Sequence, residues 1–170
     1  RMCQLALPGM RDQGRGRIVN IGSMGGTLTF PGGGIYHATK YAVEAISDAM
    51  RFEVKGFGVD VVIVQPGLIR TEFAATASAE LTEEEGPYKE FNAAVGQATT
   101  DVYEKGPMAR FGGDPDAVAK TIETAITTRS PKITLVLDCS ALTGLALSSP
   151  ASARSSPSRP LLWPRSSPRR

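Results

Sequence analysis

The sequence predicts an α/β chain in which a doubly wound parallel sheet alternates with helices. Two strand-like runs and the helix between them carry this prediction. Residues 17–21 and 59–64 are rich in β-branched residues, and the second run is almost continuously apolar, which is typical of parallel strands covered on both faces. Residues 36–55 predict a long helix between them, which Gly56 and Gly58 end. Its apolar stripe consists of Ala38, Ala42, Ala45, Ile46, Ala49 and Met50.

The remaining elements are predicted from their end signals. Residues 1–12 have apolar residues three or four positions apart and predict the end of a helix, although Pro8 removes one helical hydrogen bond. Residues 22–34 hold six glycines. This segment is too long for a tight turn, so we expect it to shape a site. Asp114 and Pro115 predict a helix start. Residues 82–85 predict another helix start, and residues 133–137 predict a further strand.

Composition divides the 170 residues into two parts. Residues 1–147 are predicted to form one compact portion, because the chain as a whole has an ordinary globular composition and its unusual residues lie beyond this part. Residues 148–170 hold 8 Ser, 5 Pro and 5 Arg, which bury too little apolar surface to offset their ordering entropy, so we expect a disordered tail. A natural basic tail and a translated shifted reading frame are two explanations that the sequence leaves open.

Charge and cysteine content argue against several classes of function. The chain has 19 basic and 17 acidic residues, and removing the 5 Arg of the tail leaves 14 basic residues and a net charge of −3. A nucleic acid is therefore not an expected partner of this body. Cys3 and Cys139 lie far apart and the chain has 1 His, so neither a disulfide framework nor a metal site is expected. No apolar run reaches the roughly 18 residues of a spanning helix, and we expect a cytoplasmic protein.

Ser23, Tyr36 and Lys40 are the candidate catalytic residues. Tyr36 and Lys40 are four positions apart, which puts both side chains on one helix face, about 6 Å apart along its axis. Ser23 follows the first predicted strand, at the edge where open α/β sheets bind ligands. A tyrosine hydroxyl ionises only at about pH 10, and a nearby ammonium favours the phenolate. Tyr36 would then exchange a proton with an alcohol or carbonyl while Ser23 binds the substrate oxygen.

Residues 16–73 resemble the catalytic half of the short-chain dehydrogenase/reductase family. The resemblance rests on GRIVNIGSMGG, YHATK and VDVVIVQPGLIRTEF, which follow in the family's order and spacing. It implies a Rossmann-like fold and hydride transfer between NAD or NADP and a small alcohol or carbonyl substrate. It also implies that Ser23, Tyr36 and Lys40 are catalytic, and that Lys40 binds the ribose.

The resemblance further implies a nicotinamide-binding segment after the second strand. The cofactor-binding residues that it implies are Tyr36, Lys40, Pro66, Gly67, Ile69 and Thr71. The backbone of Ile69 would bind the carboxamide, and Thr71 would bind the carboxamide or a phosphate. Residues 73–108 correspond to a lid over the substrate, with a solvated helix pair as the alternative. His37 neighbours Tyr36 but points away from it around the helix, so we expect a structural or interfacial role and not a base.

The chain also departs from the family. The phosphate-binding turn Thr-Gly-x-x-x-Gly-x-Gly is absent from the sequence. We therefore expect a partial Rossmann-like sheet, formed by the C-terminal, catalytic half of a truncated member, with incomplete activity as this chain. An inactive remnant that persists as an interaction fragment is the alternative, and the intact enzyme is expected to be a homo-oligomer. Epimerisation at the same residues, and binding of the basic tail to RNA or an acidic membrane, are further hypotheses.

Overall fold

The computed structural model describes residues 1–82, 86–105 and 112–137. Within these ranges the helices are α1 (Met2–Asp12), α2 (Gly34–Val54), α3 (Phe73–Thr82), α4 (Lys89–Glu104) and α5 (Pro115–Thr127). The strands are β1 (Gly16–Ile21), β2 (Val59–Pro66) and β3 (Thr134–Leu137). The expected tail at residues 148–170 lies outside the described residues.

The three strands form one parallel sheet in the order β1, β2, β3. In the register of β1 and β2, Gly16 pairs with Val59 and Ile21 pairs with Val64. In the register of β2 and β3, Ile63 pairs with Thr134. The predicted α/β class with a parallel sheet is confirmed. Because all strands run the same way, their carboxyl ends lie together at one edge of the sheet.

Helices cover both sides of β2. On one side, Ile18 and Val61 pack with Met50 and Val54 of α2 and with Leu7 of α1. On the other side, Val62 and Val64 pack against α5 through Ala125 and Ile122. Residues 61–64 of β2 are at most 3% exposed, which explains why its sequence is a continuous apolar run and not an alternating one.

Glycine and a side-chain cap set two of the connections. The backbone of Gly58 is left-handed, with φ +70°, and a Cβ added there would lie 2.2 Å from the carbonyl oxygen of Gly14. Only glycine fits such a turn between α2 and β2 without strain. At the predicted start of α5, the Asp114 side chain accepts a hydrogen bond of 2.9 Å from the amide of Asp116, which confirms that helix start.

One local expectation is corrected by the structure. The predicted helix start at Thr82 is wrong, because Thr82 already lies within α3, which begins at Phe73; residues 83–85 lie outside the described residues. The alanine-rich sequence before Thr82 has a high helix propensity, so a helix forms ahead of the capping signal. Pro8 does not interrupt α1, which continues to Asp12, since the loss of one hydrogen bond is tolerated there.

The apolar stripe of α2 faces away from the sheet. The buried residues of this helix are His37, Ser47, Met50 and Val54. The exposed residues on the opposite side form what we call the outer stripe, which consists of Ala38, Ala42, Ala45, Ile46, Ala49 and Phe52. Ile46 is 58% exposed and Phe52 is 82% exposed. Of the stripe that the periodicity identified, Met50 alone belongs to the core.

Arg17 joins β1, β2 and the end of α5 at the amino edge of the sheet. Its Nη1 atom donates to the carbonyl oxygens of Ala125, Ile126 and Thr128 at 3.0, 2.8 and 2.7 Å. Its Nη2 atom forms an ion pair of 2.8 Å with Asp60. Carbonyl groups at a helix C-terminus lack helical partners, so a cation is well placed to bind them.

Candidate active site

Ser23 lies in a short turn directly after β1. The amide of Gly22 donates to the carbonyl of Val64 at 2.8 Å, so this turn begins at the carboxyl edge, beside the end of β2. The Ser23 Oγ atom accepts a hydrogen bond of 3.0 Å from the amide of Gly25, which closes a single helical turn over residues 24–26. Ser23 is 9% exposed, and its hydroxyl is therefore held in one direction.

Tyr36 extends from the first turn of α2 to the same hydroxyl. The Tyr36 Oη atom donates to the Ser23 Oγ atom at 3.0 Å. The two lone pairs of Ser23 Oγ are thus used by Gly25 and Tyr36, and its own proton remains for a further acceptor. A substrate oxygen placed here would receive that proton in a hydrogen bond and would lie within reach of the phenol.

Lys40 lies one turn further along α2 and completes the cluster. Its Nζ atom donates to the carbonyl oxygens of Gly22 at 3.2 Å and Ile21 at 3.4 Å. The same atom lies 5.9 Å from the centre of the Tyr36 ring. The structure therefore brings Ser23, Tyr36 and Lys40 together, and the third proton of the ammonium remains for a ligand.

Pro66 is the last residue of β2, and Gly67, Ile69 and Thr71 follow it at the same edge of the sheet. Ile69 forms a parallel bridge with Gly113, in which the bonds are made by the carbonyl of Leu68 at 2.7 Å and the amide of Arg70 at 3.0 Å. In such a bridge the amide and carbonyl of Ile69 itself point the other way. One donor and one acceptor are thus presented on the side opposite to Gly113.

Thr71 connects this segment to Tyr36. Its hydroxyl accepts a hydrogen bond of 3.3 Å from the amide of Phe73, the first residue of α3. The ring of Phe73 packs on the ring of Tyr36, with 5.4 Å between their centres. The candidate nicotinamide segment and the Ser-Tyr-Lys cluster are therefore linked through one aromatic contact.

Helices α3 and α4 form a pair, held in part by the hydroxyl of Ser78, which donates to the carbonyl of Gly96 at 3.2 Å. Tyr88 is 68% exposed and Phe91 is 49% exposed. The assignment of residues 73–108 as a lid stays a prediction, and residues 106–108 lie outside the described residues.

Glu44 is a neighbour of the site that the sequence reasoning missed. Its Oε1 atom is buried and has no hydrogen-bond partner among the described residues. A Cβ added at Gly22 would lie 2.6 Å from this atom, so the carboxyl lies directly beneath the Ser23 turn. Burial raises the pKa of Glu44, and a hydrogen bond from Gln65 opposes that shift. The spacing of Tyr36, Lys40 and Glu44, each four positions apart, is the signal that places Glu44 on this face.

The sequence model of a protein family described as short chain dehydrogenase matches residues 1–82. Over these residues the chain is similar to the short-chain dehydrogenase family. The match covers β1, α2 and β2 together with the Ser-Tyr-Lys cluster. It does not test which half of a longer family member the chain represents, nor the roles of the individual site residues, and these remain predictions.

Relatives and solved structures agree with the family. An uncharacterised oxidoreductase of Escherichia coli (strain K12) is 37% identical over 127 residues, which are 75% of this chain and 41% of that protein. Retinol dehydrogenase 16 of Rattus norvegicus is 55% identical over 58 residues, which are 34% of this chain and 18% of that protein. The crystal structure of a short-chain dehydrogenase from Streptomyces avermitilis has a TM-score of 0.61 and 33% identity over 84% of this chain and 49% of that chain.

The chain spans about half the length of the curated relatives it matches, for example 41% of the Escherichia coli oxidoreductase and 50% of one from Schizosaccharomyces pombe. A short-chain dehydrogenase/reductase from Burkholderia phymatum, solved in complex with NAD, has a TM-score of 0.64 at 22% identity, over 95% of this chain and 57% of that chain; this likeness concerns the fold alone. In the described part of the chain, no helix is both long and apolar enough to cross a membrane. The expected cytoplasmic location stays a prediction.

Proposed function

We propose that this chain carries the Ser-Tyr-Lys centre of an oxidoreductase that transfers a hydride between NAD or NADP and an alcohol or carbonyl substrate. The observation that supports this most is the hydrogen bond of 3.0 Å from Tyr36 to Ser23, with the ammonium of Lys40 beside the phenol. The match of residues 1–82 to the short-chain dehydrogenase family supports the same reaction class.

The proposed roles follow from the hydrogen-bond directions. Ser23 donates its free proton to the substrate oxygen and stabilises the negative charge that develops there. In the direction of alcohol oxidation, Tyr36 accepts the hydroxyl proton as the substrate becomes a carbonyl, and in reduction it returns the proton. The ammonium of Lys40 lies beside the phenol and keeps one proton for a ligand. The nicotinamide, when bound, supplies or accepts the hydride.

The residues after β2 fit a nicotinamide. A carboxamide has one acceptor and one donor group, and the backbone of Ile69 presents the complementary amide and carbonyl on the side opposite to Gly113. We assign the carboxamide to Ile69 and Thr71, the ring to Pro66 and Gly67, and the ribose to Lys40. The choice between NAD and NADP is left open by these contacts, since none of them recognises the adenosine ribose.

The decisive experiment compares two tyrosine variants of the same helix. In the intact parent enzyme, Tyr36→Phe should lower turnover of an alcohol or carbonyl with NAD(H) or NADP(H) by roughly 10²- to 10⁴-fold, because the proton donor and acceptor is lost. Tyr41→Phe, on the same helix and 43% exposed, should leave turnover unchanged. Turnover of Tyr36→Phe at the level of the unmodified protein would contradict the proposal.

An inactive remnant or interaction fragment is the second candidate, and the absent phosphate-binding turn favours it. An unpaired edge of β1 supports the inactive remnant as well, because among the described residues β1 pairs with β2 alone. An unpaired parallel edge lowers solubility. A fluorescence titration of the purified chain with NADH and NADPH separates the two. Weak or absent binding of both cofactors is expected for this chain, and an affinity in the micromolar range would contradict the inactive-remnant hypothesis.

A homodimer is the partner that we propose for the outer stripe of α2. The stripe is exposed, apolar and flat, because four of its six members are alanine, and α1 adds exposed Met2 and Leu5 on the same side of the sheet. Exposed apolar patches of this kind mark interaction surfaces. Ala45→Glu should give a monomer in light scattering after size exclusion, whereas Ala119→Glu, on exposed α5, should not. A dimer that persists in Ala45→Glu would exclude this interface.

A further inference from the structure

The imidazole of His37 is enclosed by the glycine-rich loop that follows Ser23. His37 is 4% exposed and is the single histidine of the sequence. A Cβ added at Gly25 would lie 3.1 Å from its Nδ1 atom, and one added at Gly33 would lie 3.0 Å from its Nε2 atom. Phe30 packs on the ring at 5.6 Å. The loop therefore contacts the imidazole from several sides, and two of its glycines allow the close approach.

Both ring nitrogens bind the backbone of this loop, and the partners fix which nitrogen is protonated. The amide of Phe30 donates to Nε2 at 3.0 Å. The Nδ1 atom lies 2.9 Å from the carbonyl oxygen of Gly25. A carbonyl only accepts and an amide N–H only donates, so the ring is neutral, with its proton on Nδ1 and a bare Nε2. A free neutral imidazole exchanges between both tautomers, whereas this one is restricted to a single form.

The two hydrogen bonds that join His37 to Gly25 and Phe30, which we call the clamp, are connected to the Ser23 hydroxyl through one residue. Gly25 accepts from His37 with its carbonyl and donates to Ser23 Oγ with its amide at 3.0 Å. Ser23 Oγ in turn accepts from Tyr36, the residue next to His37. Ser23, Gly25, His37 and Tyr36 thus form a closed ring of contacts between the loop and the first turn of α2.

We propose that His37 is a positioning residue that holds the Ser23 hydroxyl against Tyr36 by tying residues 25 and 30 of the loop to α2 in the Nδ1–H tautomer. Its effect on turnover rests on the proposed function, but the clamp itself does not. Without it, the loop is attached to α2 by the bond between Ser23 and Tyr36 and by Lys40, and the substrate oxygen site loses its fixed geometry. Small displacements of this kind lower the rate of the chemical step.

The tautomer is tested first, on the unmodified chain. With ¹⁵N-labelled histidine, both ring-nitrogen signals belong to His37, because no second histidine contributes. Their couplings to the two carbon-bound ring protons distinguish Nδ1 from Nε2. At neutral to mildly alkaline pH we expect a protonated Nδ1, a bare Nε2 and a slowly exchanging Nδ1 proton. Signals averaged between tautomers, or a proton on Nε2, would overturn the clamp.

The positioning role is tested with two phenylalanine variants of the same helical turn. His37→Phe keeps a ring but removes both hydrogen bonds, whereas Ile35→Phe adds a ring at a side chain that is 84% exposed. In His37→Phe, chymotryptic cleavage after Leu28 should be faster by about tenfold or more. In the intact parent enzyme, kcat should fall by roughly 10- to 100-fold with an unchanged KM for the cofactor. In Ile35→Phe neither quantity should change.

The outcomes separate this inference from the proposed function. If Tyr36→Phe abolishes turnover but His37→Phe retains the kcat of the unmodified protein, the positioning role is wrong and the proposed function stands. If Tyr36→Phe retains turnover while the tautomer and the cleavage rates are as expected, the clamp stands and the proposed function fails. Partial recovery of kcat in His37→Gln, whose amide offers a donor and an acceptor, would support hydrogen bonding as the cause.

Discussion

The two faces of α2 differ in a way that reverses the usual arrangement of an amphipathic helix. The face toward the sheet carries polar side chains, with Tyr36 and Lys40 at the site and Ser47 0% exposed beneath it. The opposite face is the apolar outer stripe, where Phe52 is 82% exposed. The polar face is stable against the sheet because its groups are hydrogen-bonded there, and the apolar face has no such requirement. The comparison teaches that over residues 36–47 of this helix burial follows hydrogen bonding and chemistry more than hydrophobicity, whereas Met50 and Val54 near its end are buried by apolar packing.

Truncating one large apolar residue on each face gives the largest expected difference. Met50→Ala removes a side chain that is 6% exposed and packs with Val54 and Ile18, so the free energy of unfolding should fall by about 2–5 kcal/mol. Phe52→Ala, two positions away, should change it by less than about 0.5 kcal/mol in the monomer. Chemical denaturation of both variants measures this. Equal losses would show that the outer stripe is also packed.

A smaller effect is expected from the buried hydroxyl of the polar face. Ser47 donates to the carbonyl of Val43 at 2.6 Å and accepts from the side-chain amide of Asn20 at 2.8 Å. Ser47→Ala leaves that partly buried amide without its acceptor, which should lower the free energy of unfolding by about 1–3 kcal/mol. Ala49→Ser, which adds a hydroxyl on the exposed side, serves as the control and should have almost no effect. A neutral Ser47→Ala would mean that hydrogen bonding does not stabilise the inner face.

The smallest effect concerns pH and Glu44. Burial raises the pKa of Glu44, so above a pH of about 4.5 the folded state holds this proton more tightly than the unfolded state. The stabilising contribution of the protonated carboxyl is therefore lost as the pH rises through that raised pKa. Relative to the unmodified protein, Glu44→Gln should become more stable as the pH rises from 4 to about 8.

The control for this titration is Glu53→Gln, an exposed carboxyl of the same helix. Its stability relative to the unmodified protein should be nearly independent of pH over that range. A flat difference for Glu44→Gln as well would contradict the burial of this carboxyl beneath the Ser23 turn.

Local sequence signals predicted the elements whose ends are set locally. The β-branched run before Ser23, the left-handed Gly58 and the capping Asp114 each act within a few residues of their position, and the structure agrees with them. The spacing of Tyr36 and Lys40 likewise predicts a shared helix face, since helix geometry alone decides it.

Features that depend on distant parts of the chain were not predictable in this way. The periodicity of α2 grouped its alanines correctly, but which group faces the sheet depends on partners such as Asn20 and the Ser23 turn. The clamp of His37 required knowledge of how residues 24–33 fold back on the helix. The inclusion of Thr82 in α3 depends on competition between a capping signal and the alanine-rich sequence before it.

Arg17 has a consequence for the site at the far edge of the sheet. One end of α5 is pinned by its guanidinium, and the other end, at Asp114, adjoins the bridge between Gly113 and Ile69. A helix of 13 residues is roughly 20 Å long. Helix α5 therefore connects the two edges of the sheet, and we expect that loss of the Arg17 contacts at its C-terminal end would shift the Ile69 segment beside its other end.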